Sequence, residues 1–180
     1  MGELREWGDD ETPPAVLAAT HRLVVTAFAA DGTEFSADDW QHTTGGRRVV
    51  VFDGEIPVAH AAVVPRTLWV GDRGLRTGYV EGVATAADRQ GAGLGSLVMT
   101  RVGELVLRDY EMGALSTGSP AFYVRLGWER WQGPTFVRDG DTWVRTPGED
   151  DGVMVLRCGP TADVDLTATI SCERRSGDDW

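Results

Sequence analysis

The apolar and polar positions divide the chain into a legible order of elements. Residues 2 to 7 suit a short edge strand. Val16, Leu17, Leu23, Val24, Ala27 and Phe28 then recur at helical spacing, on a helix that ends near Ala30. Thr12 followed by Pro13 has the form of an N-cap with proline at the first helical position. Asp31 to Phe35 reads as a loop, and Ser36 with Asp39 three residues on is an acidic form of capping box, opening a short helix that Gly45-Gly46 stops. R-V-V-V-F, the turn pair Asp53-Gly54 and I-P-V-A-H-A-A-V-V give a hairpin. Thr67 to Val70 extends its second strand to a turn at residues 71 to 74, and Leu75 to Ala84 returns.

The stretch from Tyr79 to Gly95, Y-V-E-G-V-A-T-A-A-D-R-Q-G-A-G-L-G, organises the rest. It brings Glu81 on a strand toward a glycine-rich turn whose bare backbone N–H groups, with the start of the next helix, suit a pyrophosphate. The helix that follows runs from Ser96 to Arg108 and lines up Leu94, Leu97, Val98, Val102, Leu105 and Val106. M-G-A-L-S-T then reads as a buried strand, parallel in sense because it follows a strand and a helix. Ser119-Pro120 starts another short helix, A-F-Y-V-R-L, closed by Gly127. In the tail, V-M-V-L-R-C and L-T-A-T-I-S-C are the clearest strands. Three glycines are not by themselves a nucleotide signature: no acidic strand end follows as in a dinucleotide site, and the Gly-Lys-Ser/Thr of a P-loop is absent.

Composition narrows the function classes. At 180 residues, with 42% hydrophobic and 25% charged residues, the chain suits one soluble domain over residues 1–180. No apolar run reaches the roughly 20 residues of a membrane span, and the acidic start is unlike a signal peptide, so a cytoplasmic protein without a membrane partner is expected. The net charge of −11 argues against nucleic acid and suits a cationic small molecule. Cys158 and Cys172 have no metal-ligand spacing and read as free thiols, with a disulfide as the alternative. His21, His42 and His60 form no ligand pattern, and no metal is expected.

The order of antiparallel meander, Gln90-Gly91-Ala92-Gly93-Leu94-Gly95 loop, helix, strand and F-Y-V-R-L-G-W resembles the GCN5-related N-acetyltransferase superfamily. That resemblance implies an α/β (α+β) fold, with a mixed, mostly antiparallel central sheet flanked by helices. It implies acetyl-CoA as cofactor, CoA as product, and a pyrophosphate held at Gln90 to Gly95. A closer resemblance, to the aminoglycoside 2′-N-acetyltransferases, rests on A-F-A near residue 28, D-W-Q-H-T at 39–43, A-H-A-A-V at 59–63, G-Y-V-E-G at 78–82, G-A-L-S at 113–116, G-W-x-x-W-x-G-P at 127–134 and the terminus G-D-D-W. It implies acetylation of the 2′-amine of an aminoglycoside, antibiotic resistance and a homodimer. The alternatives are the same fold acting on another amine (a polyamine, a metabolite or a peptide N-terminus) and a non-catalytic acyl-CoA-binding module.

The resemblance also implies residue roles. An amine attacks a thioester only when neutral, so a proton must be taken up, and Glu81 acts through water together with the C-terminal carboxylate of Trp180. Tyr123 is the candidate acid for the leaving CoA thiolate, since a phenol of pKa about 10 stays protonated near neutrality. The Val83, Ala84 and Thr85 backbone receives the pantetheine arm and polarises the thioester carbonyl. Asp39, Glu81, Gly82, Ser116, Glu149, Asp150, Asp178 and Trp180 are the substrate-binding candidates. In the 30–38 loop either Asp31 or Glu34 takes the remaining acidic position.

Overall fold

A computed structural model describes residues 2–180. The chain forms two compact units, the first running to Val64 and resuming over Val80–Glu104, the second comprising Pro65–Tyr79 and Leu105–Trp180.

The first unit begins with β1 (Glu3–Gly8), a 3-10 turn at Asp9–Glu11 and α1 (Pro14–Ala30). It continues through α2 (Ala37–His42), β2 (Arg47–Asp53) and the start of β3 (Ile56–Val70), and takes in the end of β4 (Arg73–Thr85) and most of α3 (Leu94–Asp109). β1 pairs antiparallel with β2, and β2 with β3 across the expected hairpin, whose Gly54 has φ +62°. The register slips between Val51, opposite Ala59, and Phe52, opposite Pro57. That bulge falls beside the residue that has no N–H to give to the ladder. Val24 and Ala27 of α1 pack with Ala84 of β4, and Phe28, Phe35 and Trp40 close over them.

Two local readings change. Thr12 does not cap α1: its hydroxyl donates to the Gly8 carbonyl, and Pro13 occupies the N-cap position without a side-chain hydrogen bond. A threonine hydroxyl serves whichever orphan carbonyl is nearest, and the 3-10 turn supplies one first. On α3 the buried stripe is Val98, Met99, Val102, Leu105 and Val106, whereas Leu97 is 41% exposed. The α2 capping box forms as expected. Ser36 Oγ accepts from the Asp39 N–H at 3.1 Å, and Asp39 accepts from the Ser36 N–H at 2.7 Å.

The second unit contains β5 (Met112–Ser116), α4 (Pro120–Val124), β6 (Glu129–Arg130), β7 (Thr135–Asp139), β8 (Thr142–Arg145), β9 (Val153–Arg157) and β10 (Ile170–Glu173). Its strands follow the hydrogen-bonded order β6-β9-β5-β4-β3-β10-β7-β8. β5 is parallel to β4, as the intervening helix required, and β10 is parallel to β7; β5 with β9, β10 with β3 and β7 with β8 are antiparallel. The sheet is therefore mixed and mostly antiparallel, as anticipated.

The tail differs from its sequence pattern. Of L-T-A-T-I-S-C, only Ile170 onward is strand. Asp165 accepts from both the backbone N–H and the hydroxyl of Thr167, which folds residues 165–168 into a turn. Gln132 and Gly133 donate their N–H groups to Leu166 O, and Trp131 Nε1 donates to Ala168 O. A β-carbon added at Gly133 would lie 1.9 Å from Ala168 O. Backbone cannot yield as a side chain can. Gly133→Ala is therefore expected to destabilise the protein by about 3 kcal/mol or more, by analogy with severe overpacking, read as a lower urea midpoint.

Candidate active site

In the first unit the site candidates cluster along the end of β4 and the loop after it. Glu81 is half-buried, and Gly82, which follows it, is buried. Gly82 has φ +60°, and a β-carbon there would come 3.1 Å from Thr43 Cγ2 and 3.3 Å from His60 Cε1. Left-handed backbone and crowding together demand glycine. His60 Nδ1 lies 2.6 Å from the Gly82 carbonyl, and His60 Nε2 lies 2.8 Å from Arg48 Nη1. The sequence places His60 among histidines with no metal-ligand pattern, leaves a histidine in the proton route open, and passes over Arg48. The signal it held was the period-two pattern that puts Arg48 and His60 on one face of the β2–β3 ladder, where Val50 faces His60 and Arg48 faces Ala62.

Gln90, Gly91, Ala92 and Gly93 are exposed, and α3 starts at Leu94. Gly91 and Gly93 have φ +78° and +80°. The other acidic candidates of this unit do different local work. Asp31 is the C-cap of α1, with Gly32 at φ +77° after it, and Glu34 is exposed in the loop. Asp39 is engaged in the α2 capping box, accepting from both the N–H and the hydroxyl of Ser36.

In the second unit the structure brings most of the remaining candidates together. The Ser116 hydroxyl donates to Glu149 at 2.7 Å. Glu149 ends the 3-10 turn Pro147–Glu149, whose N-cap Thr146 receives the indole N–H of Trp180 at 3.2 Å. Asp150, next in the chain, accepts from the Thr135 N–H at 3.1 Å and hydroxyl at 2.9 Å. A bidentate Arg145 pair adds to these bonds and holds the carboxyl at about 2, well below the ordinary carboxylate range. Asp150 is thus an ionised structural strut. Asp178 is exposed and accepts from the Trp180 N–H at 3.2 Å.

The chain end is anchored well beyond what its ring alone would provide. Trp180 is 4% exposed. Arg66 Nη2 donates to Asp179 O at 2.5 Å and to Glu173 O at 3.0 Å, which ties together the two ends of the last loop. Arg175 Nη2 donates to Trp180 O at 3.2 Å, its backbone N–H donates to Asp179 Oδ1 at 2.9 Å, and Cys172 Sγ sits 3.2 Å from Asp179 O. Burial pushes the Cys172 thiol up to about 11, so it stays protonated and donates to that carbonyl. Cys158 and Cys172 are both free and buried.

Tyr123 is 7% exposed, with the Phe122 ring 4.9 Å and the Trp128 ring 6.4 Å away, both edge-on. Burial pushes its phenol up to about 12, and a hydrogen bond with the Thr117 hydroxyl partly opposes that shift. The group therefore keeps its proton across the neutral range.

An acetyltransferase (GNAT) domain model matches residues 13–131. The aminoglycoside 2′-N-acetyltransferase of Mycolicibacterium fortuitum is 42% identical over 163 residues, 88% of this chain and 82% of that protein. Among solved structures, a GNAT family acetyltransferase from Brucella melitensis, crystallised with acetyl-CoA, superposes with TM-score 0.62 at 14% identity over 93% of this chain and 94% of that one. A GCN5-related N-acetyltransferase from Kribbella flavida gives 0.59 at 24% identity over 74% of this chain, which spans about a third (34%) of that longer protein. The chain belongs to the GNAT acetyltransferase family. It has that family's fold and is an N-acetyltransferase.

Two outcomes follow from this geometry. The unfolded Tyr123 phenol ionises near 10 and the folded one near 12, so native stability is whole below pH 10 and declines as pH rises toward 12. The loss is on the order of 2–3 kcal/mol. Tyr123→Phe is therefore expected to unfold at a higher alkaline midpoint than wild type in a pH titration followed by circular dichroism. Arg66→Met, which unties the last loop, is expected to speed carboxypeptidase release of Trp180 by about tenfold or more through local opening, measured by mass spectrometry.

Proposed function

We propose that this protein transfers the acetyl group of acetyl-CoA to the 2′-amine of an aminoglycoside. The 42% identity to the Mycolicibacterium fortuitum enzyme, over nearly nine-tenths of the chain, carries this reading. The clustered Ser116, Glu149, Asp178 and chain-terminal carboxylate, on a protein of net charge −11, suit a polycationic acceptor.

The glycine loop fits a pyrophosphate. Nothing lies within 4 Å of a β-carbon position at Gly91 or Gly93, so their backbone is open to a ligand. The first N–H groups of α3 lack intrahelical acceptors and add a positive dipole end. Gln90, Gly91, Ala92, Gly93, Leu94 and Gly95 would hold the diphosphate, and Val83 to Thr85 the pantetheine arm. Acetyl-CoA, when bound, supplies an acyl group already activated as a thioester. Glu81 and the Trp180 carboxylate would take the ammonium proton through water and hold the amine, while Tyr123 would give a proton to the departing thiolate. Either Asp31 or Glu34 would extend the acidic surface, and Asp39 and Asp150 would contribute charge while remaining hydrogen-bonded in place.

The matched segment, residues 13–131, draws on both compact units, which supports one catalytic domain over the whole chain. A cytoplasmic homodimer that confers resistance where it is abundant completes the proposal; among the described residues no helix is long and apolar enough to cross a membrane.

The experiment is CoA release with kanamycin B, which carries a 2′-amine, beside kanamycin A, which carries a hydroxyl there. Turnover with kanamycin B alone is expected. Equal turnover with both would move the acceptor nitrogen elsewhere, and silence with both would remove the aminoglycoside assignment.

A further inference from the structure

The Arg48–His60–Gly82 contacts determine a tautomer. A guanidinium only donates and a carbonyl only accepts. His60 Nε2, 2.8 Å from Arg48 Nη1, must then offer its lone pair, and Nδ1, 2.6 Å from Gly82 O, must carry the proton. Both side chains are buried, Arg48 at 1% and His60 at 0% exposure. Arg48 is itself held from three sides. Its Nη2 reaches Thr43 O at 3.2 Å, Thr43 Oγ1 at 3.3 Å and Asp9 Oδ1 at 3.3 Å, and its guanidinium carbon lies 4.8 Å from the Trp40 ring centroid. Burial first, then the Arg48 charge, lowers the imidazole to about 3, so His60 does not take up a proton near neutrality. It is a fixed donor, unsuited to carrying protons for the reaction.

What it donates to matters because of peptide geometry. Carbonyl and N–H of a trans peptide point in opposite directions, and the described chain has no cis bond. Fixing Gly82 O toward His60 therefore aims the Val83 N–H the opposite way. Gly82, at φ +60°, is the residue at which this peptide plane could most easily rotate, because glycine has low barriers in that region.

We propose that His60, locked as its Nδ1–H tautomer by Arg48, is a positioning residue for acetyl transfer. It holds the Gly82–Val83 peptide plane so that the Val83 N–H faces the thioester carbonyl it polarises. This rests on the reading above that Val83 to Thr85 receive the acyl-pantetheine arm. Asn mimics the Nδ1 donor of histidine at similar reach, and Leu fills the volume without a donor.

The test has two arms. In the first, the full-length wild-type protein is labelled with ¹⁵N-histidine, and His60 is assigned by its loss in His60→Asn. The expected spectrum shows Nδ1 protonated and Nε2 bare, without titration between pH 5.5 and 8.5. An Nε2–H tautomer or a titration in that range overturns the proposal. This arm needs no acceptor, and it uses a variant, His60→Asn, only to assign the signal. In the second arm, with an acceptor that wild type acetylates, His60→Leu is expected to lower kcat by about tenfold or more, the scale of a misaimed oxyanion donor. The Kd for acetyl-CoA should change less than about threefold, because the glycine loop is untouched, and His60→Asn should recover most of the rate. Wild-type kcat in His60→Leu, or an equal loss in both variants when both melt as wild type, overturns it. Failure of wild type to acetylate any aminoglycoside would instead strike the substrate assignment, and the kcat arm is then run with another amine that wild type acetylates.

Discussion

One left-handed residue inside a long strand constrains the centre of the first unit. Gly82 takes φ +60° within β4 while the burial alternation continues through it, from the buried Val80 to the buried Ala84 that packs in the first unit's core. A side chain there would meet Thr43 and His60, and an L-residue would resist the backbone angle as well. The neighbours have as little freedom as the glycine. Arg48 and His60 are buried polar groups that would be costly without partners, and each finds them in the other, in Thr43, in Asp9 and in the Gly82 carbonyl. Such a network has few ways to rearrange. It keeps a left-handed peptide in one orientation beside the carboxylate of Glu81.

The second unit solves a different problem, holding residues 173–180 in place. Terminal residues fray because few contacts oppose their entropy. Here arginines bond backbone carbonyls of the last residues, a protonated thiol adds a donor, and the Trp180 ring is buried with its indole N–H on Thr146. The same Thr146 opens the turn that carries Glu149 and leads into Asp150. These two carboxylates and the chain end are thus parts of one hydrogen-bonded assembly. Tyr123, by contrast, is tuned by removal from water, which keeps its proton on.

Much of the fold could be read from local rules that tertiary packing did not override. The hairpin at Asp53-Gly54, the Ser36–Asp39 box, the parallel β5 and the helix after the glycine loop follow from turn chemistry, capping and period. The failures also have local causes. L-T-A-T looks like a strand because Thr and Leu pack well in one, but Asp165 captures Thr167 first. Thr12 looks like a cap, yet its hydroxyl meets the Gly8 carbonyl sooner. Among site residues, Ser116 and Glu149 lie 33 positions apart, and no local pattern joins them before β5 and β9 pair.

The order of elements as far as α4, the glycine loop, the acidic character and the family could be read from residue type and short spacing, whereas β6, β7 and β8 carried no separate pattern. Which polar groups are tied up in structural bonds emerges with the folded chain. Asp39 and Asp150 became struts, His60 became a fixed donor, and the segment 173–180 became tied down. Those outcomes depend on partners brought together by folding and on burial, which sets what an unpaired polar group costs.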